Sequence, residues 1–367
     1  MGLKDKIFLF LVLAIAVASF IIFDVYGLIT QSRIDFLKDL LIKEQPVYSK
    51  GVYVTFRTAG SSRIEEIIDL IKNTELNSIV IDIKDYTGRV PFSTGSKLIK
   101  EIGSEKIFIS DMKELIRKLH KEGIYAIARI AVFEDNYLPR ERPDLALKRA
   151  GGGLWEDNKG LAWLDPSSKE VWDYTIEIAR ESAKIGFDEI NLDYIRFPSD
   201  GETGSIIYPF WDRKTPKKEI IRQFFEYFSQ RIKPTGVFIS VDLFGLTLTS
   251  ETDLNIGQWL EYAAPYFDYI CPMVYPSHYP AGYEGFENPA AYPYEVIYNA
   301  LLIGMERLAS ISSPAKIRPW LQDFDLGAIY DGNMIELQKK AVYDAGAFGW
   351  LLWNPKNNYS EQGLEKE

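Results

Sequence analysis

Gly186-Phe-Asp-Glu-Ile-Asn-Leu-Asp-Tyr-Ile-Arg-Phe-Pro198 is the stretch on which the fold turns. It opens at a helix-ending glycine and passes into a short apolar strand with polar residues at alternate positions. Side chains along a strand alternate between faces, so Asn191 and Asp193 share one face and Ile190 and Leu192 the other. A strand that follows a helix and finishes on a carboxylate points to a parallel α/β sheet, where reactive groups gather at the carboxyl ends of strands. Taken alone, Asp193 serves equally well as a cap for the next turn or as a partner for Arg196. Whether other strands end the same way decides between these readings.

They do. Upstream, Gly51 to Phe56 reads as a first strand, and Ser62 to Glu65 as a capping box opening a helix with Ile64, Ile67, Ile68 and Ile71 on one side. Ser78 to Lys84 is a second strand, followed by a helix bearing Met112, Leu115, Ile116 and Leu119 and stopped by Gly123. Ile124 to Ala131 is a third strand, and a long loop then leads to a helix carrying Val171, Tyr174, Thr175 and Ile178. Downstream, Thr215-Pro216 starts a helix with Ile220, Ile221, Phe224, Phe225 and Phe228. Strands at Val237 to Asp242, Tyr269 to Val274, Ile317 to Leu321 and Phe348 to Trp353 alternate with helices, one of them predicted over Leu254 to Ala264 and another over Asn333 to Tyr343. Eight strands alternating with helices predict an α/β fold, a (β/α)8 TIM barrel over residues 48–355. A doubly wound sheet is the alternative, but no glycine-rich phosphate turn follows the first strand. An eighth helix is missing before the polar tail at 356–367; a short amphipathic segment at 34–43 is a candidate to cover the gap.

Ahead of the barrel, Lys4 and Lys6 precede an apolar run from Ile7 to Phe23. This run predicts an N-terminal transmembrane anchor within residues 1–30, with the lysines cytoplasmic and the barrel outside, joined by a stalk at 31–47. Secretion after cleavage near Ala16-Val-Ala18 is the alternative, although Phe20 to Phe23 continues the apolar run beyond that point. A formal charge of −10 excludes a nucleic-acid partner, whose phosphates demand clustered Lys and Arg. One cysteine and two histidines leave no disulfide framework and no metal site of the usual zinc kind; no cofactor is expected. Aromatic residues make up 14% of the chain, which suits a sugar-binding cleft as well as an ordinary core.

The strand ends carry the chemistry. Asp82 and Lys84 close the second strand on one face, Arg129 lies in the third, and Asp193 and Asp242 end the fourth and fifth. Tyr275 and His278 follow the sixth, Gln322-Asp323 close the seventh, and Trp353 closes the eighth. Charges inside a barrel are costly unless paired or functional, so this recurrence points to a site, with a structural ring of ion pairs as the alternative. Glycoside hydrolysis needs one ionised carboxylate and one carboxyl that holds a proton near neutrality. Asp193 is expected as nucleophile or charge stabiliser, kept ionised by Arg196 or Arg129. Asp242 is expected as general acid/base, its carboxyl desolvated by Phe244 or Tyr275. Asp82 and Asp323 are expected to hydrogen-bond sugar hydroxyls, with Lys84 holding Asp82. Trp163, Tyr283 and Trp353 are candidate stacking platforms, each with core packing as the plainer role. His120 reads as a solvated helix residue.

Five ordered motifs resemble a known family: Lys50 to Thr55 with Tyr53, Val80 to Asp85, Asp188 to Pro198, Cys271 to His278, and Arg318 to Phe324 with Gln322. They resemble the bacterial "putative glycoside hydrolase domain" family, a TIM-barrel group. The resemblance implies a glycosidase-like barrel, usually exported or membrane-anchored, with no metal requirement and no defined substrate; the substrate expected here is a polysaccharide or cell-surface glycan. More distantly, Gly186 to Asp193 is similar to the fourth-strand motif of chitinase-type hydrolases, whose catalytic Glu falls where this chain has Ile195. The rival of another class is a catalytically silent, envelope-tethered barrel that binds glycan. An esterase would need His278 beside Ser240 or Ser277.

Overall fold

The computed structural model describes residues 46–366. Eight parallel strands form the barrel: β1 (Ser49–Val54), β2 (Ser78–Lys84), β3 (Tyr125–Ala131), β4 (Glu189–Asp193), β5 (Phe238–Phe244), β6 (Tyr269–Met273), β7 in two pieces (Lys316–Ile317 and Trp320–Gln322) and β8 (Gly349–Trp353). Each strand pairs with its sequence neighbour, and β8 returns to β1 through Ser49 opposite Gly349, which closes the ring. Strand β7 is interrupted at Arg318-Pro319 because proline has no N–H to give the ladder. Its second piece still meets β6, with Trp320 opposite Met273.

The helices α1 (Arg63–Lys72), α2 (Met112–Lys121), α3 (Lys169–Ile185), α4 (Lys217–Ile232), α5 (Leu260–Ala263), α6 (Pro293–Ser310) and α7 (Gly332–Asp344) fill the crossovers. Their apolar stripes are those the periodicity gives, including Ile64, Ile67, Ile68 and Ile71 on α1 and Phe224, Phe225 and Phe228 on α4. These side chains pack on the outward residues of the strands in one continuous core. A second, smaller core fills the barrel itself, with Val80, Ile127, Tyr269, Cys271, Trp320 and Leu351. Two apolar layers on opposite faces of one sheet leave the strands buried on both sides, as a parallel barrel requires. At the floor, Arg318 and Glu189 form a fully buried ion pair. Arg318 Nη1 also donates to Ser49 Oγ at 3.2 Å, and its guanidinium lies 4.2 Å from the Tyr269 ring.

Local departures from the sequence reading have physical causes. Ser62 takes a helical conformation and makes no capping hydrogen bond, because the turn Phe56–Ala59, capped by Thr55, already leads into α1. The helix predicted over Leu254 to Ala264 shrinks to one turn, since Leu254, Asn255 and Gly257 take left-handed φ values of 52°, 58° and 86°. Helix α3 does end at Gly186, whose φ of 107° suits a residue without Cβ. In place of an eighth helix, the segment after β8 folds back over β1. Asn357 Nδ2 and Tyr359 Oη both donate to the Tyr53 carbonyl, at 3.1 and 2.7 Å, and Leu364 is buried. The apolar run Ile7 to Phe23 and the segment 34–43 lie outside the described residues. Among the described residues no helix is long and apolar enough to cross a membrane.

Candidate active site

Alternation along the strands brings Tyr53, Asp82, Arg129, Asp193, Asp242 and Trp353 to the carboxyl-terminal mouth of the barrel. Arg129 is the hub. Its Nη1 donates to Asp82 Oδ1 at 2.5 Å, its Nη2 donates to Asp193 Oδ2, and its Nε lies 3.8 Å from Asp242 Oδ2. The guanidinium sits 4.9 Å from the Trp353 ring, and Trp353 stacks on Tyr53 with centroids 3.8 Å apart. Tyr53 Oη donates to the second oxygen of Asp82 at 2.5 Å. Asp193 Oδ1 accepts from the Tyr194 N–H at 2.6 Å. That contact is made possible by Tyr194 turning left-handed, φ 52°, a costly conformation for a residue with a Cβ and one that gathers at functional sites.

Asp242 stands in a different environment. Its Oδ1 accepts from Asn191 Nδ2 and Trp320 Nε1, both at 2.8 Å, while its Oδ2 is sealed from solvent without a hydrogen bond. Burial, and after it the neighbouring Asp193 charge, pushes its carboxyl well above the usual range. Asp82 is pushed up to about 6, again by burial first, with Arg129 opposing. Three carboxylates therefore share one guanidinium, and a proton on Asp242 relieves the imbalance. Among the described residues no His, Cys, Asp and Glu cluster is arranged to hold a metal ion.

The geometry can be set beside known proteins. Residues 51–359 match the family described as "putative glycosyl hydrolase domain". The chain belongs to that family. No curated protein sequence matches it. Among solved structures, a hypothetical protein from Ruminiclostridium thermocellum is 38% identical over 52% of this chain and 96% of its own, with a TM-score of 0.48. The glycoside hydrolase domain of PgaB (BpsB) from Bordetella bronchiseptica is similar at 13% identity, TM-score 0.62, over 84% of this chain and 94% of that one. Alpha-L-fucosidase isoenzyme 2 from Paenibacillus thiaminolyticus is similar at 14% identity, TM-score 0.57, over 85% of this chain and 47% of that one. At such identities the likeness to these two enzymes is one of fold.

Within this glycosyl hydrolase family barrel, several residues expected at the mouth do other work. A register shift between Asp82 and Lys84 turns the lysine away from its neighbour. Lys84 pairs instead with Asp135 at 2.9 Å and donates to the Ala131 carbonyl, so Tyr53 and Arg129 are what hold Asp82. Arg196 does not reach Asp193; it donates to Phe197 O and Ser199 Oγ and lies among the Trp163, Phe244 and Tyr194 rings. Gln322 is spent internally, accepting from Ser277 and donating to the Phe324 carbonyl, which ties two loops together. Asp323 lines a small side cavity with Tyr330, Asp331 and Ser360, on the opposite face of its strand from Trp320 and Gln322. Its carboxyl is pushed up to about 7 by burial and by Asp325. Trp163 is buried, with Nε1 on Asp157, and Tyr283 packs on Tyr279, whereas Trp353 is half-buried at the end of β8. Tyr275 is buried beside Asp242, and His278 stands at the rim, edge-on to the Tyr275 ring at 5.1 Å. His120 bonds Asp188 at 2.9 Å on the outer surface. Strand position alone gave no hint of Trp320 as a donor to Asp242, because an indole N–H in an apolar run carries no periodic signal.

Proposed function

We propose that this chain hydrolyses O-glycosidic bonds of a polysaccharide or cell-surface glycan, with Asp193 as the ionised carboxylate facing the anomeric carbon. One observation carries the reading: at the mouth of a glycosyl hydrolase family barrel, Asp193 is oriented by a backbone N–H and by the guanidinium of Arg129, which itself lies against the stacked Tyr53 and Trp353 rings. An oxocarbenium-like transition state needs a fixed negative charge at that point, and a carboxylate pinned by two donors supplies it without reorganisation. Trp353, backed by the buried Tyr53 ring, offers flat apolar surface to a pyranose ring, whereas Asp82, buried with both oxygens taken by Tyr53 and Arg129, holds the arginine rather than a sugar hydroxyl. Asp242 meets the requirement for a protonated second carboxyl in the same mouth, and its raised proton affinity supports an acid/base role; its sealed oxygen counts against direct contact with substrate. The apolar run Ile7 to Phe23 supports display of the barrel on the outer face of a membrane.

A non-catalytic glycan-binding barrel draws support from one feature, the locking of both Asp82 and Asp193 on Arg129. The two readings separate in one assay. The full-length protein is incubated with a panel of bacterial and plant polysaccharides, and new reducing ends are counted for wild type and Asp193→Asn. Hydrolysis of at least one glycan by wild type, reduced about 10²–10³-fold in the variant, is expected. Binding without cleavage across the panel would favour the silent barrel.

A further inference from the structure

Glu134 is a carboxyl the strand-end pattern does not single out. Beyond the formal end of β3 the chain stays extended: Val132 and Phe133 donate their N–H groups to the carbonyls of Asp193 and Tyr194, at 2.9 and 3.3 Å. On the other side Glu134 pairs antiparallel with Trp163, so its backbone is held between the end of β4 and the long loop before α3. Phe133 turns outward, its ring 5.4 Å from that of Phe224 on α4, and alternation sends Glu134 the other way. Its side chain is buried, 4% exposed, and makes no hydrogen bond or ion pair with any described residue. Its oxygens are not among the sealed, partnerless atoms, so the carboxyl tip is the part that opens to solvent. Facing it are Asp193, Tyr194 and Arg196 from the end of β4, and Asp157 and Lys159 from the loop. Burial is the largest influence on it and pushes the carboxyl up to about 8.

A general acid must come within hydrogen-bonding reach of the leaving oxygen. Asp242 has one oxygen saturated by Asn191 and Trp320 and the other sealed. Glu134 has an open, unpaired carboxyl beside Asp193. Resting on the glycoside hydrolase reading above, we propose that Glu134 is the proton donor to the glycosidic oxygen and that Asp242 is a positioning residue. As the bond from the anomeric carbon to that oxygen breaks, its electron pair stays on oxygen, which takes the Glu134 proton and leaves as an alcohol. The positive charge at the anomeric carbon faces Asp193. Water then adds to that carbon and returns a proton to the Glu134 carboxylate, so the sum is one water consumed per bond cleaved.

The test compares two leaving groups. Wild type, Glu134→Gln and Asp242→Asn are assayed on the glycan cleaved in the panel and on the 2,4-dinitrophenyl glycoside of the same sugar, which departs without protonation. Glu134→Gln is expected to lose about 10²–10⁴-fold on the glycan, to stay within about tenfold of wild type on the dinitrophenyl glycoside, and to lose the alkaline limb of the pH profile near pH 8. Asp242→Asn is expected to lose similar factors on both substrates. Glu134→Ser replaces the glutamine variant if that fails to fold. The proposal is overturned if the Glu134 variant matches wild type on the glycan, if it loses equally on both substrates, or if the leaving-group pattern belongs to Asp242→Asn. Wild type that cleaves no glycan overturns the hydrolase reading itself, and this assignment with it; the other outcomes overturn the assignment alone.

Discussion

Arg129 holds one positive charge among three carboxylates and is 4% exposed. Removing one member of a buried charge group leaves the rest uncompensated and costs about 3–5 kcal/mol. Arg129→Met is therefore expected to destabilise the fold by about that amount in urea titration, and to abolish activity even where the protein remains folded. Arg129→Lys will not substitute, because one ammonium on a flexible stem cannot bridge Asp82 and Asp193 as a planar fork does. At this scale the sequence was legible where alternation holds. Asp193, Asp242 and Arg129 meet because strand period places them on one face of adjacent strands. Lys84 was misread because a one-residue shift in pairing reverses a side chain without changing any residue type. Asp323 was misread because it lies one residue past an inward-facing glutamine. Glu134, in the loop after the third strand, was given no role because the sequence does not show that the extended backbone continues past Ala131.

The elements follow the same logic. Helices with wide apolar stripes, such as α1 and α4, were readable to within a residue or two, since only one face of each meets the sheet. The predicted helix over 254–264 failed because left-handed residues at Leu254, Asn255 and Gly257 break it, and the helical period of the surrounding apolar residues does not register them. What replaces it is functional to the fold: Gln258 Oε1, in the irregular segment, accepts from the Phe244 N–H at 2.8 Å and secures the end of β5 above Asp242. The missing eighth helix illustrates another limit. A tail dominated by Asn, Glu and Lys has no apolar helical stripe, yet Asn357 and Tyr359 satisfy the Tyr53 carbonyl at the end of β1 and so steady the ring that stacks on Trp353. Composition marked it as polar; only its hydrogen bonds show that it braces the end of β1.

For the whole molecule, the carboxyls gathered in and near the mouth set a pH dependence. Asp82, Asp323 and Glu134 are raised to about 6, 7 and 8, and burial and the Asp193 charge hold Asp242 well above the usual carboxylate range. The fold thus favours their protonated forms. That contribution to stability is complete below the unfolded carboxylate range near pH 4 and is lost as pH rises through the folded values. Thermal melts are expected to show Tm falling between pH 5 and pH 8, with a shallower fall in Glu134→Gln; a Tm that rises over this range would contradict the raised values. The lowered carboxyls, among them Glu75 and Glu261, act in the opposite sense and only at more acidic pH.

The role given to Asp193 is tested most directly by removing its carboxylate and offering another anion in its place. Asp193→Ala should hydrolyse the 2,4-dinitrophenyl glycoside about 10²–10³-fold more slowly than wild type, and sodium azide should restore turnover with a glycosyl azide as product. Undiminished hydrolysis by Asp193→Ala, without azide, would contradict the account.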